Sequence, residues 1–186
     1  MKVKSIYRLE NLILRIDVCR ETDRIVFYEL HPLLWDKEGF ELWKLRRRKC
    51  IDIIGRFGVF QEYPIVALVI EPSPSPQPNI IGKVSSVQHE GFDVRFIEYG
   101  KLQLNIDVEL KIALLWEAYI YDTCLNEYSY LLAKALLLVE KMLKELGVKE
   151  VYANGYEPCY PELYKETLTQ LGYRLIRKPH VYYKKL

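Results

Sequence analysis

The alternation of strands and helices from residue 114 to the C-terminus restricts the fold more than any other feature of this sequence. An apolar strand leads into a long amphipathic helix, and a strand, a second helix and a closing pair of strands follow. Because short links join these elements, the strands on either side of each helix are expected to be close neighbours. The predicted bounds are a strand at 114–122, a helix ending at Leu146, a strand at 150–154, a helix ending at Leu171, and strands at 173–177 and 181–184.

Both predicted helices carry end signals. Gly147 and Gly172 stand where a left-handed residue commonly ends a helix. Pro161 and Glu162 give the second helix a favoured first residue and an acidic side chain near its positive end. The charged residues of the first helix are predicted to share one solvent-facing side, opposite an apolar face; they are Lys134, Glu140, Lys141, Lys144 and Glu145.

The N-terminal part, residues 1–63, is predicted to be less regular. Alternating apolar residues at 12–18 and 24–30 predict a hairpin. Residues 33–49 predict one or two short helices interrupted at Gly39, and residues 51–60, which contain two glycines, predict irregular backbone.

The middle of the chain predicts strands on both sides of a proline-rich loop. Residues 65–70 form an apolar run typical of a central strand buried on both faces. Alternating prolines at 71–79 predict a stiff surface loop, or alternatively a recognition segment for an aromatic groove. An antiparallel meander is predicted beyond the loop, with strands at 80–87, 92–98 and 102–106 and turns at 89–91 and 99–101.

Together these elements predict a single α/β (α+β) domain over residues 1–186, with a mixed, mostly antiparallel sheet flanked by helices. No apolar run approaches the ~20 residues that cross a bilayer, so we expect no membrane partner and a cytoplasmic location. The four cysteines form no pattern with histidine that is typical of a metal site.

One basic run stands out in a chain whose 27 basic and 25 acidic residues nearly cancel. Arg46, Arg47 and Arg48 follow Trp43 and offer a candidate surface for nucleic acid or an acidic partner. The alternative interpretation is a solvated helix face, which the near-neutral total charge favours.

Several stretches of the C-terminal part resemble the GNAT acyltransferase superfamily. They are Leu136-Leu137 in the long helix, the run from Leu146 to Tyr152, the run from Leu171 to Arg174, and the last residues, Tyr182 to Leu186. The resemblance extends from about residue 80 to the end. It implies a GNAT-like sheet, acetyl-CoA as cofactor and an amine-bearing substrate.

The resemblance also implies roles for individual residues. Glu117 corresponds to a general base on the fourth strand of the family, and Tyr164 lies one helical turn before Leu168, where the family places its general acid. Cofactor contacts are implied at Tyr121, at the end of the strand, and at Asn154, beside the pantetheine arm. The pyrophosphate loop corresponds to Tyr128, Ser129, Leu131 and Ala133, of which only Ala133 matches the family pattern.

The sequence therefore predicts an acyl-CoA-dependent N-acyltransferase with a degenerate pyrophosphate loop. Two alternatives stay open. One is a catalytically inactive GNAT-like domain that binds a protein or nucleic acid, and the other is an unrelated α+β fold with a similar order of elements.

Overall fold

The computed structural model describes residues 2–23, 25–44, 49–71, 83–121, 128–155, 160–177 and 180–186; of residues 63–71, 83–93 and 128 it describes the backbone alone. In chain order the described elements are β1 (Ile6–Leu9), β2 (Leu12–Thr22), α1 (Lys37–Lys44), β3 (Cys50–Glu71), β4 (Lys83–Asp107), β5 (Ile112–Ile120), α2 (Tyr128–Glu145), β6 (Glu150–Asn154), α3 (Pro161–Gln170), β7 (Arg174–Arg177) and β8 (Val181–Lys185). Two short 3₁₀ helices, Tyr28–Leu30 and Pro32–Leu34, precede α1.

The strands form one mixed sheet in the order β1-β2-β3-β4-β5-β6-β8-β7. β5 and β6 run parallel, with α2 connecting them. The pairs β1–β2, β2–β3, β4–β5, β6–β8 and β7–β8 are antiparallel. The predicted mixed, mostly antiparallel sheet flanked by helices is therefore confirmed.

The chain forms two compact units. The first comprises Met1–Val59 and Glu98–Leu186, and the second comprises Phe60–Ile97. Where described, the second unit consists of the C-terminal part of β3 and the N-terminal part of β4. Its Phe60 and Phe96 rings meet edge to face with centroids 5.5 Å apart. The functional site described below lies entirely in the first unit.

Two hydrophobic cores cover the two faces of the sheet in the first unit. Ala113 and Leu115 of β5 belong to one core, and Ile112 and Leu114 belong to the other, as expected for a strand buried on both sides. Helices α2 and α3 cover the first face with apolar side chains such as Leu136 and Leu168. Phe27 and Leu30, at the first 3₁₀ helix, cover the second face.

The helix ends follow the sequence signals. Gly147 has a φ of 75°, and the next amide, of Val148, donates to the carbonyl of Leu143 at 3.0 Å. Gly172 repeats the arrangement with a φ of 86°. A positive φ costs glycine little because it has no Cβ, so both predicted helix ends are confirmed.

Glu140 does not face solvent, so that prediction is wrong. The residue is 4% exposed, and the Lys184 ammonium donates to both of its carboxylate oxygens at 2.8 Å. Lys184 lies on β8, which is distant in sequence from α2. The ion pair explains why a charged side chain is tolerated on the buried side of the helix.

Two predictions about the sheet are also wrong. Residues 51–60 are not irregular, because they belong to β3 and pair with β2 through Gly55 and Gly58. Residues 83–107 are not a meander, because β4 is continuous through both predicted turns. In both cases we took glycine as a break, whereas it lies inside a strand. Residues 80–82 and the prolines at 72–78 lie outside the described residues.

The segment before β3 differs from its prediction as well. Residues 24–30 include a 3₁₀ helix instead of a strand, and β2 forms its hairpin with β1. Helix α1 runs through Gly39 without interruption. Its start is stabilised by Asp36, whose carboxylate accepts the Gly39 N–H at 2.7 Å. Arg46, Arg47 and Arg48 lie outside the described residues.

Candidate functional site

The parallel pairing of β5 with β6 ends before β5 does. Their last parallel pair is Leu115 with Ala153, after which β6 ends at Asn154 while β5 continues to Ile120. We call this place the β5–β6 gap: the stretch Trp116–Ile120 of β5 beside the end of β6. The carboxyl ends of parallel strands are a common location of ligand sites, because the strand connections diverge there.

A β-bulge in β5 lies at the start of this gap. In the pairing with β4, Gln103 opposes Glu117 and Leu104 opposes Leu115, so Trp116 is an extra residue. Leu115 and Ala118 both belong to the core under α2. Trp116 and the adjacent Glu117 therefore face the opposite side of the sheet, where Trp116 stacks on Phe27 with ring centroids 5.1 Å apart and planes 8° from parallel.

A pocket of about 430 Å³ opens on that side. Its volume lies within the range of small-molecule sites. Trp116 lines it from β5 and Asn154 from the end of β6. Residues of the two 3₁₀ helices, and residues at the adjoining ends of β7 and β8, supply most of the remaining wall. The full lining is Tyr28, Glu29, Leu30, Leu34, Trp35, Trp116, Asn154, Arg177, His180 and Val181.

A buried histidine holds the 3₁₀ segment in place over the sheet. His31 is 0% exposed, and its Nε2 lies 3.3 Å from the Oδ2 of Asp107 at the end of β4. Its Nδ1 accepts the Leu33 N–H at 3.3 Å, so Nε2 carries the proton and donates to the carboxylate. Burial raises the pKa of Asp107, but hydrogen bonds from His31 and from the Leu110 amide outweigh burial and lower that pKa overall.

Trp35 is fixed in the pocket wall by two contacts. Its indole N–H donates to the Glu29 carbonyl at 2.9 Å, and its ring meets the edge of Tyr152 with centroids 5.9 Å apart. The guanidinium of Arg177 lies over the same indole, 5.2 Å from the ring centroid. The pocket thus has a rigid aromatic wall with a cation on it.

The two predicted catalytic residues lie in different surroundings. Glu117 is partly exposed, and its carboxylate forms an ion pair with Lys101 at 3.0 Å, which raises the pKa of that lysine. It is adjacent to Trp116 but does not itself line the pocket. Tyr164 is 2% exposed and belongs to the core on the α2 side. Both catalytic roles stay predictions.

The predicted cofactor residues at the strand ends border the gap. Asn154 is 7% exposed and lines the pocket. Tyr121 follows β5, and its hydroxyl donates to Glu98, which also accepts a hydrogen bond from Arg56 at 2.9 Å. Partial burial and the Glu98 carboxylate raise the pKa of Tyr121 to about 12, so its hydroxyl stays protonated at neutral pH.

The remaining predicted cofactor residues form the first turns of α2. The helix begins at Tyr128, whose side chain is outside the description, and residues 122–127 before it are also outside. Ser129 and Ala133 are partly buried. Leu131 is 8% exposed and belongs to the core against the sheet.

Most of the pocket residues were not predicted from sequence. The sequence assigns no ligand-binding role to Trp116, Arg177 or His180. The chain offers little local signal for them, because they are brought together from three distant segments. A tryptophan beside a glutamate inside an apolar strand is the local pattern that could have indicated the bulge.

No family model and no curated protein matches the sequence. Similar solved structures include the following three. A domain from Methanocaldococcus jannaschii has 12% identity and a TM-score of 0.42, with 91% of this chain and 99% of that chain covered. An acetyltransferase from Bacillus cereus has 15% identity and a TM-score of 0.38, covering 68% and 74%. A probable acetyltransferase of the GNAT family from Chromobacterium violaceum has 10% identity and a TM-score of 0.46, covering 100% and 93%.

A shared function does not follow from similarities this low.

Within the described residues, His, Cys, Asp and Glu side chains form no group of three that would suit a metal ion. The described helices also include none with the length and apolar character needed to cross a membrane.

Proposed function

We propose that this protein is an N-acyltransferase that binds an acyl-CoA, with acetyl-CoA as the expected donor, in the β5–β6 gap. The acceptor amine would attack the thioester carbonyl carbon. The new C–N bond forms as the C–S bond breaks, the amine loses a proton to a base, and the thiolate of CoA takes up a proton.

The observation that carries this proposal is the coincidence of three features at one place. The parallel pairing of β5 and β6 stops at Leu115 and Ala153, a bulge turns Trp116 and Glu117 to one face, and a pocket opens at Trp116. Beyond Leu115, β5 has no paired residue on its β6 side among the described residues, and such a strand edge offers backbone N–H and C=O groups to an extended ligand. The pantetheine arm, which contains two amides, is such a ligand.

The donor would be held from both sides of the gap. Asn154 and Tyr121 would contact the pantetheine arm from the ends of β6 and β5. The first turns of α2, with Tyr128, Ser129, Leu131 and Ala133, would offer backbone amides and the positive helix end to the pyrophosphate.

Acetyl-CoA binding is the direct test, because a ligand that binds the native state raises its melting temperature. At one hundred times the Kd the stabilisation is about 2.7 kcal/mol, which corresponds to about 5–10 °C for a chain of this length. Dephospho-CoA and pantetheine, which lack parts of the anionic end, should stabilise progressively less. The absence of any shift at millimolar acetyl-CoA would refute the proposal.

Glu117 is the proposed base, and Glu117→Gln tests it. The variant should lower kcat by about a hundredfold, which is typical of the loss of a general base, and change the KM for acetyl-CoA little. Glu162→Gln is the matched control. Glu162 also forms one surface ion pair with a lysine, at 2.9 Å from Lys165, but it lies on α3 and does not line the pocket at Trp116. Equal rates for both variants would exclude Glu117 as the base.

Tyr164 is the proposed acid, and its burial makes Tyr164→Phe informative. Loss of a general acid predicts a similar fall in kcat with unchanged acetyl-CoA binding. A purely structural tyrosine predicts an unchanged kcat and a small loss of stability. Stopped assays at saturating donor, together with a melting curve for the same variant, separate the two results.

The alternative function, binding of nucleic acid or an acidic partner through Arg46, Arg47 and Arg48, stays a prediction. Salt-dependent retention on a heparin or DNA column, lost in the triple reversal to glutamate, would support it.

A further inference from the structure

Two residues of opposite charge, Glu29 and Arg177, line the pocket. Within the described part of the chain, neither Glu29 nor Arg177 forms an ion pair, although both contribute to the wall of the same pocket. By contrast, Arg56 of the first unit forms a direct ion pair with Asp17. The pocket therefore offers a ligand one positive and one negative group.

The position of Arg177 leaves its hydrogen-bond donors available. Its guanidinium lies over the face of the Trp35 indole at 5.2 Å. Such stacking uses the face of the planar cation, whereas the N–H donors point outward in its plane. Trp35 is itself held by the Glu29 carbonyl. A guanidinium fixed on a rigid ring loses little freedom when it binds a carboxylate through two parallel hydrogen bonds.

Three aromatic residues contribute to the rest of the wall, together with aliphatic ones. Tyr28, Trp35 and Trp116 line the pocket, and Trp116 is kept in position by its stack on Phe27. Flat rings on several sides favour a flat apolar ligand, because aromatic pairs gain from stacked and edge contacts. A volume of about 430 Å³ suits a compact molecule of that kind.

We propose that the acceptor is an amino acid with an aromatic side chain, whose carboxylate is bound by Arg177 and whose amino group is received on the Glu29 side. This inference rests on the proposed acyl transfer for the reaction, but the binding site itself does not depend on it. Arg177 acts as a specificity residue. We assign the anion that Arg177 binds to the acceptor, because the proposed phosphate contacts in the first turns of α2 lie on the opposite face of the sheet from this pocket.

The test compares pairs of amines that differ only in the carboxylate. Tyrosine with tyramine and phenylalanine with phenethylamine are offered as acceptors with acetyl-CoA. The wild type should show a kcat/KM at least about tenfold higher for the member with the carboxylate, as expected of a charge-assisted hydrogen bond. Arg177→Gln should remove this preference by raising the KM for the amino acid, and Arg177→Lys should restore part of it.

Arg174→Gln is the matched control. Arg174 lies on the same strand and also stacks on an aromatic ring, with its guanidinium 5.8 Å from the Tyr183 centroid, but it does not line the pocket. Its substitution should leave the acceptor preference unchanged. If Arg177→Gln raises the KM for acetyl-CoA and leaves the acceptor preference intact, the anion is a donor phosphate and the inference is overturned.

A binding experiment without the acyl donor separates this inference from the proposed function. Calorimetric titrations of the same amines without acetyl-CoA should show tyrosine binding more tightly than tyramine, with the difference lost in Arg177→Gln. A preserved binding preference without any transfer would refute the acyltransferase and retain the amino-acid site. Equal affinities for both members of each pair, or no binding of either amino acid, would overturn the site.

Discussion

The ion pair between Glu140 of α2 and Lys184 of β8 gives a quantitative prediction about the scaffold beneath the pocket. The Lys184 ammonium lies 2.8 Å from both carboxylate oxygens, and the two side chains are 20% and 5% exposed. Lys184→Met keeps the length of the side chain and removes its charge. The Glu140 carboxylate then stays nearly inaccessible to water without its cation.

The expected loss follows from this burial. Removal of one partner of a buried pair typically destabilises by about 3–5 kcal/mol. The partial exposure of Lys184 places the loss near the lower end, about 3 kcal/mol, which lowers the melting temperature by about 6–12 °C. The double variant Glu140→Met/Lys184→Met removes both charges, so its stability should lie within about 1 kcal/mol of the wild type.

Urea titrations of the four proteins in this cycle, with thermal melts at the same pH, measure the coupling. Lys165→Met is the control, because Lys165 pairs with a Glu162 side chain that is 81% exposed. A pair exposed to this degree should contribute less than about 1 kcal/mol. The reasoning is refuted if Lys184→Met is as mild as the control, or if the two single substitutions add without coupling.

Two further predictions concern the strands around the site. Gly100→Ala should destabilise by about 2 kcal/mol or more in a urea titration, since a Cβ there would lie 2.1 Å from the Tyr119 carbonyl oxygen of β5; an unchanged midpoint would contradict the pairing. The hydrogen bond from His31 keeps the pKa of Asp107 below its ordinary value of 3.8. The ionised Asp107 carboxylate therefore stabilises the fold above pH 3.8, and this stabilisation is lost as the pH falls through and below that value. Asp107→Asn should therefore lower stability at pH 7 and flatten the acid limb of a stability–pH curve, and an unchanged slope would exclude the pair as its source.

The C-terminal half of the fold was predictable because its signals are local. The apolar run before α2, the glycines at 147 and 172, and the proline at 161 act within a turn or two of their own position. These signals placed β5, α2, β6 and α3 correctly. The same approach failed at Gly55 and Gly100, because a glycine inside a paired strand has the same local sequence context as a glycine in a turn.

The site was less predictable than the fold. Asn154, a predicted cofactor contact because it ends a strand, lines the pocket, and its role stays a prediction. Trp116 faces the pocket because the pairing of β5 with β4 contains an extra residue, and register is a property of two strands. Arg177 contacts Trp35, although the two residues lie far apart in the sequence. No spacing along the sequence encodes that contact.

The sequence by itself determined the order of strands and helices in the C-terminal part, the ends of α2 and α3, and the mixed character of the sheet. These depend on backbone preferences and on apolar periodicity, which act over a few residues. The tertiary structure alone decided the burial of Glu140, the bulge at Trp116 and the opposed charges of Glu29 and Arg177 in one pocket. Each of these depends on which distant segments pack together, because burial, register and electrostatic pairing are properties of neighbours in space.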